Sequence, residues 1–392
     1  MLKNFIIILF FIICTPFGFS QYTTFTSIDY IGSNNPRQTL DLYVPDDITQ
    51  KVPLIIFIHG GGWHSGGTEN VLAWCDTLLS NNFIVAAINY RFSQDSIFPA
   101  QIYDCKAAVR WLKANADLYS IDTSKIGVLG VSAGAHLASL IGLSSDVPLL
   151  EDLSQGNSNF KSRINAVVDF YGPSNLLEMS DYSGSECPSP RNYDEEGSVV
   201  TQLLGCIAAD CPETALFASP ISYVDSDDPP FLIYHGTTDC VVPNNQSIKL
   251  YSKLLENNVD AHLNIIEGVA HGDPIFYNSN SKIEVLNFFN EKLNNICQAC
   301  DSLITDTGNK IKVFPNPFNS IATIEYTISS AGQVQIFIFD MLGRKVKDIL
   351  NEFRIPGVYK NVLDGANLSS GIYLITIKTA QSFLSKKVIF LK

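Results

Sequence analysis

Ser132 sits in Gly130-Val131-Ser132-Ala133-Gly134, a run with the spacing of a nucleophilic serine held on a sharp turn. Small residues two places either side let the chain reverse tightly and lift the hydroxyl clear of its surroundings. Upstream, His59-Gly60-Gly61-Gly62 supplies backbone N–H groups with no side chains in the way. Such groups suit the negative charge that develops on a carbonyl oxygen during acyl transfer, and each donor lowers that barrier by roughly 3–4 kcal/mol. Gly61, Gly62 and Ala133 are the expected oxyanion donors. His59 is expected to hold the loop.

A serine of this kind needs a base and an acid, which follow it in the chain order Ser, Asp or Glu, His. Six histidines are available. His59 and His64 precede the serine, His136 lies one turn into the helix behind it, and His235 precedes the candidate acid. His262 falls inside an alternating apolar run, where a structural role is expected. His271, in Gly268-Val269-Ala270-His271-Gly272, lies on the loop past that run and is the expected base. Asp239 follows the apolar run Phe231 to His235 and reaches the same edge one strand earlier. The reading is therefore Ser132 as nucleophile, His271 as proton shuttle and Asp239 as the acid that holds the imidazole tautomer. Asp225, Asp227 and Asp228 belong at the opposite end of that strand, and Asp273 stands too near His271 to follow the order.

Positioning such groups takes alternating strands and helices. Strands are expected at Leu54 to His59, Ile84 to Asn89, Lys125 to Gly130, Ile164 to Tyr171, Phe231 to His235 and Ala261 to Glu267. Helices are expected at Asn70 to Ser80, Pro99 to Asn115, Ala133 to Leu143, Ile248 to Glu256 and Ile283 to Leu293. This alternation predicts a mostly parallel sheet with helices on both faces and reactive groups at the strands' carboxyl ends. The final segment differs: Thr323 to Ile328, Gln333 to Phe339, Gly371 to Ile377 and Lys387 to Leu391 alternate or are β-branched, as in a small Ig-like β-sandwich.

The 392 residues suffice for two domains, and 46% apolar against 17% charged residues suits a well-buried core. The net charge of −13 argues against nucleic acid and against an anionic membrane surface as partners. Charge also divides the chain, with 14 basic against 32 acidic residues over 21–300 and 11 against 7 over 301–392. Lys3, the apolar run Phe5 to Ile13 and small residues at Gly18 and Ser20 read as a signal peptide cut after Ser20. The expected division is a signal peptide over 1–20, a catalytic domain over 21–296, a linker over 297–312 and a β-sandwich over 313–392. No other stretch is apolar and long enough for stable membrane insertion.

Removing Cys14 with the leader leaves eight of the nine cysteines in a compartment where disulfides persist. Cys187, Cys206 and Cys211 fall in one polar insertion, about 175–219, which is expected to wall the substrate pocket. Cys297 and Cys300 flank the linker, and Cys75 and Cys105 read as small core residues. The pairing is open. No pair of Cys-x-x-Cys motifs and no histidine cluster accompanies them, so neither a metal nor another cofactor is expected.

Residues of about 25–295 resemble the secreted carbohydrate esterases of the α/β-hydrolase fold, the feruloyl and acetyl-xylan esterase-like group related to hormone-sensitive lipase. The likeness rests on His59-Gly60-Gly61-Gly62-Trp63, Asn89-Tyr90-Arg91, Gly130 to Ala138, Asp228 to Gly236, and the Asp239 and His271 segments. Ala135 departs from it, since such families often carry another glycine there. The resemblance implies hydrolysis of acetyl or feruloyl esters on plant polysaccharide. Residues of about 313–392 resemble the sorting domain of type IX secretion, through Phe314-Pro315-Asn316-Pro317-Phe318, Asp340 to Val346, Leu368 to Tyr373 and the terminal Lys386 to Lys392. That likeness implies a secretion machinery as partner and a secreted or cell-surface location. Against these stand a prolyl-oligopeptidase-like peptidase or amidase, and a non-catalytic adhesion module. The intact glycine loop and the full set of candidate residues weigh against them.

Overall fold

The computed structural model describes residues 22–294, 311–328, 331–340, 344–366, 368–379 and 383–392. The leader expected over 1–20, Cys297, Cys300 and most of the expected linker lie outside the described residues.

The first unit runs β1 (Tyr22–Asp29), β2 (Thr39–Pro45), β3 (Val52–Ile58), α1 (Leu72–Leu79), β4 (Ile84–Ile88), α2 (Ala100–Ala114), β5 (Ile121–Val131), α3 (Ala133–Leu143) and β6 (Ala166–Phe170). It continues through α4 (Val199–Leu204), α5 (Pro212–Phe217), β7 (Phe231–Gly236), α6 (Asn245–Glu256), β8 (Ala261–Ile266) and α7 (Ser279–Asn294). Its eight strands form one sheet in the order β1-β2-β4-β3-β5-β6-β7-β8. β1 and β2 pair antiparallel, as do β2 and β4, and every later neighbour is parallel. Strands buried on both faces read as unbroken apolar runs, which is why β3, β4, β6 and β7 stand out in the sequence. Two apolar layers cover the sheet. One contains Leu54, Ile56, Val128, Leu137 and Ile233, and the other contains Ile55, Leu129, Trp74, Phe170 and Phe289.

The second unit has β9 (Ile311–Phe314), β10 (Ile321–Ile328), β11 (Gly332–Asp340), β12 (Lys345–Arg354), β13 (Gly357–Asp364), β14 (Gly371–Lys378) and β15 (Phe383–Phe390). They form two antiparallel sheets, β13-β10-β9 and β12-β11-β14-β15, around a core containing Ile324, Tyr326, Ile336, Ile375 and Val388. Ile311 and Lys312, read in the sequence as linker, belong to β9, where they pair with Tyr326 and Glu325. The charge shift that marks the boundary says nothing of backbone pairing. Phe337, Phe339 and Leu374 pack with the first unit's apolar layer, against Ile248, Tyr251, Leu263 and Ile265.

Candidate active site

β5 delivers Ser132 to the carboxyl edge of the sheet. Ser132 adopts φ 56° and ψ −123°, a conformation costly for any residue with a Cβ, and its N–H is held by Phe170 O at 2.9 Å. The glycines around it answer a spatial need. A Cβ at Gly130 would stand 2.3 Å from Gly134 O, and one at Gly134 would stand 2.1 Å from Ile58 O. Helix α3 therefore runs directly under β3, bringing the elbow against the loop that β3 feeds. Ala135, the residue departing from the family pattern, is fully buried there.

That loop is His59 to Gly62. Ile58 pairs with Gly130 across the parallel ladder, so loop and elbow emerge side by side. Gly61 has φ 111°, and a Cβ on it would stand 2.1 Å from Ser65 O. His59 is fully buried, stacks on Tyr90 at 4.5 Å and shares a 2.7 Å contact with Gly60 O through Nδ1. Burial lowers its pKa to about 4, which leaves it neutral. Tyr90 in turn donates its hydroxyl to His59 O at 3.0 Å. Among the described residues no backbone carbonyl takes the N–H of Gly61 or Gly62. Ala133, as the first residue of α3, has no helical acceptor for its own N–H.

Asp239 and His271 come from the loops after β7 and β8. Thr237 N–H donates to Ile266 O and Thr238 N–H to Val269 O, so the two loops are joined before their side chains meet. Nδ1 of His271 lies 2.6 Å from Oδ2 of Asp239, and Nε2 lies 2.9 Å from Ser132 Oγ. The other carboxylate oxygen of Asp239 accepts from Val241 N–H at 2.7 Å and Val242 N–H at 2.8 Å. Burial alone would raise this carboxyl. Hydrogen bonds from His235 and His271 outweigh it and hold Asp239 well below the usual carboxylate range.

Of the other histidines, His64 borders the space over Ser132, and His136 and His262 fall elsewhere. His136 is buried, accepts the Trp63 indole N–H on Nδ1 at 3.2 Å and donates from Nε2 to Ala218 O at 2.7 Å. Burial lowers its pKa to about 4. His262 projects from β8 with 63% of its side chain exposed. Asp225, Asp227 and Asp228 sit together in the turn before β7, where burial raises the Asp228 carboxyl to about 7.

Several supporting residues escape sequence reasoning. His235 accepts from Ser247 at Nδ1 (2.7 Å) and presents Nε2 to Val242 O at 2.9 Å and to Asp239 at 3.3 Å. Tyr171 packs edge-on against the His271 ring at 4.6 Å, and its hydroxyl meets Tyr277 at 2.7 Å. Asp169 is buried behind the elbow, where it accepts from Ser139 at 2.6 Å and Gly172 N–H at 2.8 Å. Its position at the carboxyl end of an apolar strand was the one available signal.

A cleft of about 350 Å³ opens over Ser132 and His271. The insertion walls one side with Met179, Arg191, Tyr193 and Val199. A disulfide joins Cys187 to Cys240, the residue after Asp239, and a second joins Cys206 to Cys211; Cys75 and Cys105 are free and buried. A second hollow of about 480 Å³ lies across the glycine loop, bordered by Phe57, Asn70, Ala73 and Tyr277.

Fold and catalytic-edge geometry together define an α/β hydrolase. The BD-FAE family profile matches residues 40–254, and the chain belongs to that family of α/β-hydrolase esterases. Residues 312–391 match the secretion system C-terminal sorting domain, the domain of type IX secretion. The chain is 31% identical over 226 residues to the esterase LipC of Mycobacterium tuberculosis, a match covering 56% of this chain and 53% of that one. It thus spans about half the length of the curated relatives it matches. Among solved structures, a truncated carbohydrate esterase from gut microbiota is 30% identical with a TM-score of 0.64, covering 70% of this chain and 98% of that one. An acetyl ester-xyloside bifunctional hydrolase from Caldicellulosiruptor lactoaceticus is 26% identical with a TM-score of 0.52, covering 64% and 84%.

Proposed function

We propose that the protein is a secreted serine carboxylic-ester hydrolase that removes acetyl or feruloyl groups from plant polysaccharide. The observation that carries this reading is the unbroken relay from Asp239 through His271 to Ser132, facing the glycine loop across an open cleft. In this reading Ser132 Oγ attacks the ester carbonyl while His271 Nε2 takes its proton. The resulting oxyanion accepts hydrogen bonds from Gly61, Gly62 and Ala133 N–H groups. Collapse breaks the bond to the sugar oxygen, which leaves as an alcohol with the proton held by His271. Water, deprotonated by the same imidazole, then cleaves the acyl-serine, releases the acid and restores Ser132. Asp239 stays ionised throughout and stabilises the imidazolium.

The units are proposed as a leader over 1–20, the esterase over 21–296, a linker over 297–310 and the sorting domain over 311–392, which begins with β9. The last of these would engage a type IX machinery and deliver the enzyme to the cell surface or beyond it. Acetate and ferulate release from native and deacetylated xylan, measured side by side, tests the substrate. The expected result is release of one acid, abolished in Ser132→Ala. Full activity in that variant, or release of neither acid while 4-nitrophenyl acetate is cleaved, would reject the mechanism or the polymer respectively.

A further inference from the structure

The cleft over Ser132 is bordered mainly by apolar, aromatic and glycine residues, and among the described residues Arg191 is the one with a permanent charge on its border. A pocket of that kind uses few polar groups, and those few set what enters. Arg191 belongs to the insertion and stands four residues after Cys187, whose disulfide to Cys240 ties this segment to the loop carrying Asp239. Tyr193 donates its hydroxyl to Val241 O, and Tyr182 donates to Cys240 O at 3.1 Å. The strand of chain carrying Arg191 is thus anchored on both sides.

Arg191 is exposed, and its guanidinium reaches the Tyr193 phenol. Among the described residues Arg191 takes part in none of the ion pairs, although Asp194, Glu195 and Glu196 follow on the same loop. Those three are exposed, and none borders the cleft. Burial raises the Tyr182 and Tyr193 phenols, and the Arg191 charge opposes that rise, which places the cation beside the pocket wall. Residues 21–300 carry more than twice as many acidic as basic side chains, so a lone cation at the mouth stands against its background. Distant surface charges are screened beyond about 8 Å at physiological salt, whereas a group in direct contact with bound substrate is screened much less.

We propose that Arg191 is a specificity-determining residue that binds a carboxylate on the sugar portion of the substrate, so that the preferred ester lies on a uronic-acid-bearing oligosaccharide. The planar fork of a guanidinium matches a carboxylate in two parallel hydrogen bonds, which selects this anion over a neutral sugar hydroxyl. The proposal rests on the polysaccharide-esterase reading above and adds the charge of the substrate to it.

The test uses the full chain with its disulfides intact. Acetylated xylo-oligosaccharides of equal length, with and without a uronic acid branch, are compared by kcat/KM, each variant being normalised to its own rate on 4-nitrophenyl acetate. The wild type is expected to favour the acidic substrate by about tenfold, through KM. Arg191→Met should bring the ratio near one, and Arg191→Lys should keep part of it. A wild-type ratio near one, or an unchanged ratio in Arg191→Met, overturns the proposal. If neither oligosaccharide is deacetylated while 4-nitrophenyl acetate is cleaved, the polysaccharide reading fails and the anion site is still tested. In that case unacetylated acidic and neutral oligosaccharides are compared as inhibitors of 4-nitrophenyl acetate cleavage. Stronger inhibition by the acidic one, lost in Arg191→Met, upholds the site. Equal inhibition removes it.

Discussion

Nε2 of His235 lies 3.3 Å from Oδ2 of Asp239, the same oxygen that His271 approaches to 2.6 Å. The acid of the relay is therefore held by two imidazoles and two backbone N–H groups, with no water-facing edge. In the proposed mechanism His235 acts through Asp239, as a positioning residue.

Replacing His235 with Phe should lower kcat by about tenfold and leave KM near its original value, because a charge-assisted bond to a buried carboxylate is lost. The second readout is acid sensitivity. Asp239 has a depressed pKa in the folded protein, so its stabilising contribution is present above the ordinary value of 3.8 and fades as pH falls below it. Without His235 the folded pKa rises and that contribution shrinks. Circular dichroism between pH 5 and 2 should then place the unfolding transition at higher pH. An unchanged profile would reduce His235 to packing.

Ser132 pays for its exposed hydroxyl in backbone strain, since φ 56° and ψ −123° suits glycine. Ser132→Gly should abolish activity and raise stability by about 1 kcal/mol. Urea denaturation of the two proteins measures this, and a destabilised glycine variant would contradict the strain.

Buried neutral histidines predict a pH window of a different kind. His59 and His136 have folded pKa values near 4 against an ordinary 6.5. Their pKa is depressed, so the folded state gains from them fully above pH 6.5 and loses that gain as pH falls toward 4. A group displaced this far contributes about 3 kcal/mol across the window. Urea midpoints should fall steadily from pH 6.5 to 4, and His136→Phe should flatten the slope whatever its effect at neutral pH.

The Cys187–Cys240 bridge closes a separation of 53 residues and ties the cleft wall to the acid loop. Replacing both cysteines with serine should cost about 2–4 kcal/mol of stability. It should raise KM for sugar esters more than for 4-nitrophenyl acetate, which has no sugar portion to meet the insertion wall. Equal changes in the two would show that the bridge serves stability alone.

Much of the geometry of the candidate site is legible in the sequence because its constraints are local. The glycines flanking Ser132 mark close backbone approaches, and α3 spans the predicted Ala133–Leu143 because alanines follow the elbow directly. Unbroken apolar runs likewise marked the inner strands. β1 leaves little trace in the sequence, since Tyr22–Asp29 is exposed along most of its length and shows no apolar alternation. β12 and β13 are edge strands with charged, outward-facing residues, which resemble loops in sequence. His235 meets Asp239 only because the turn after β7 folds back on itself, and Tyr171 meets His271 across three strands' worth of loops. Neither meeting leaves a periodic trace. Cys187 finding Cys240 is a matter of tertiary geometry, and cysteine count alone left every pairing open.

The bridge between Cys187 and Cys240 also bears on timing. A reducing cytosol keeps thiols apart, and disulfides persist once a chain has left it. The wall that carries Arg191 and the loop that carries Asp239 are therefore fastened together only outside the cytosol. With a type IX sorting domain on the same chain, fastening of this cleft wall is coupled to export.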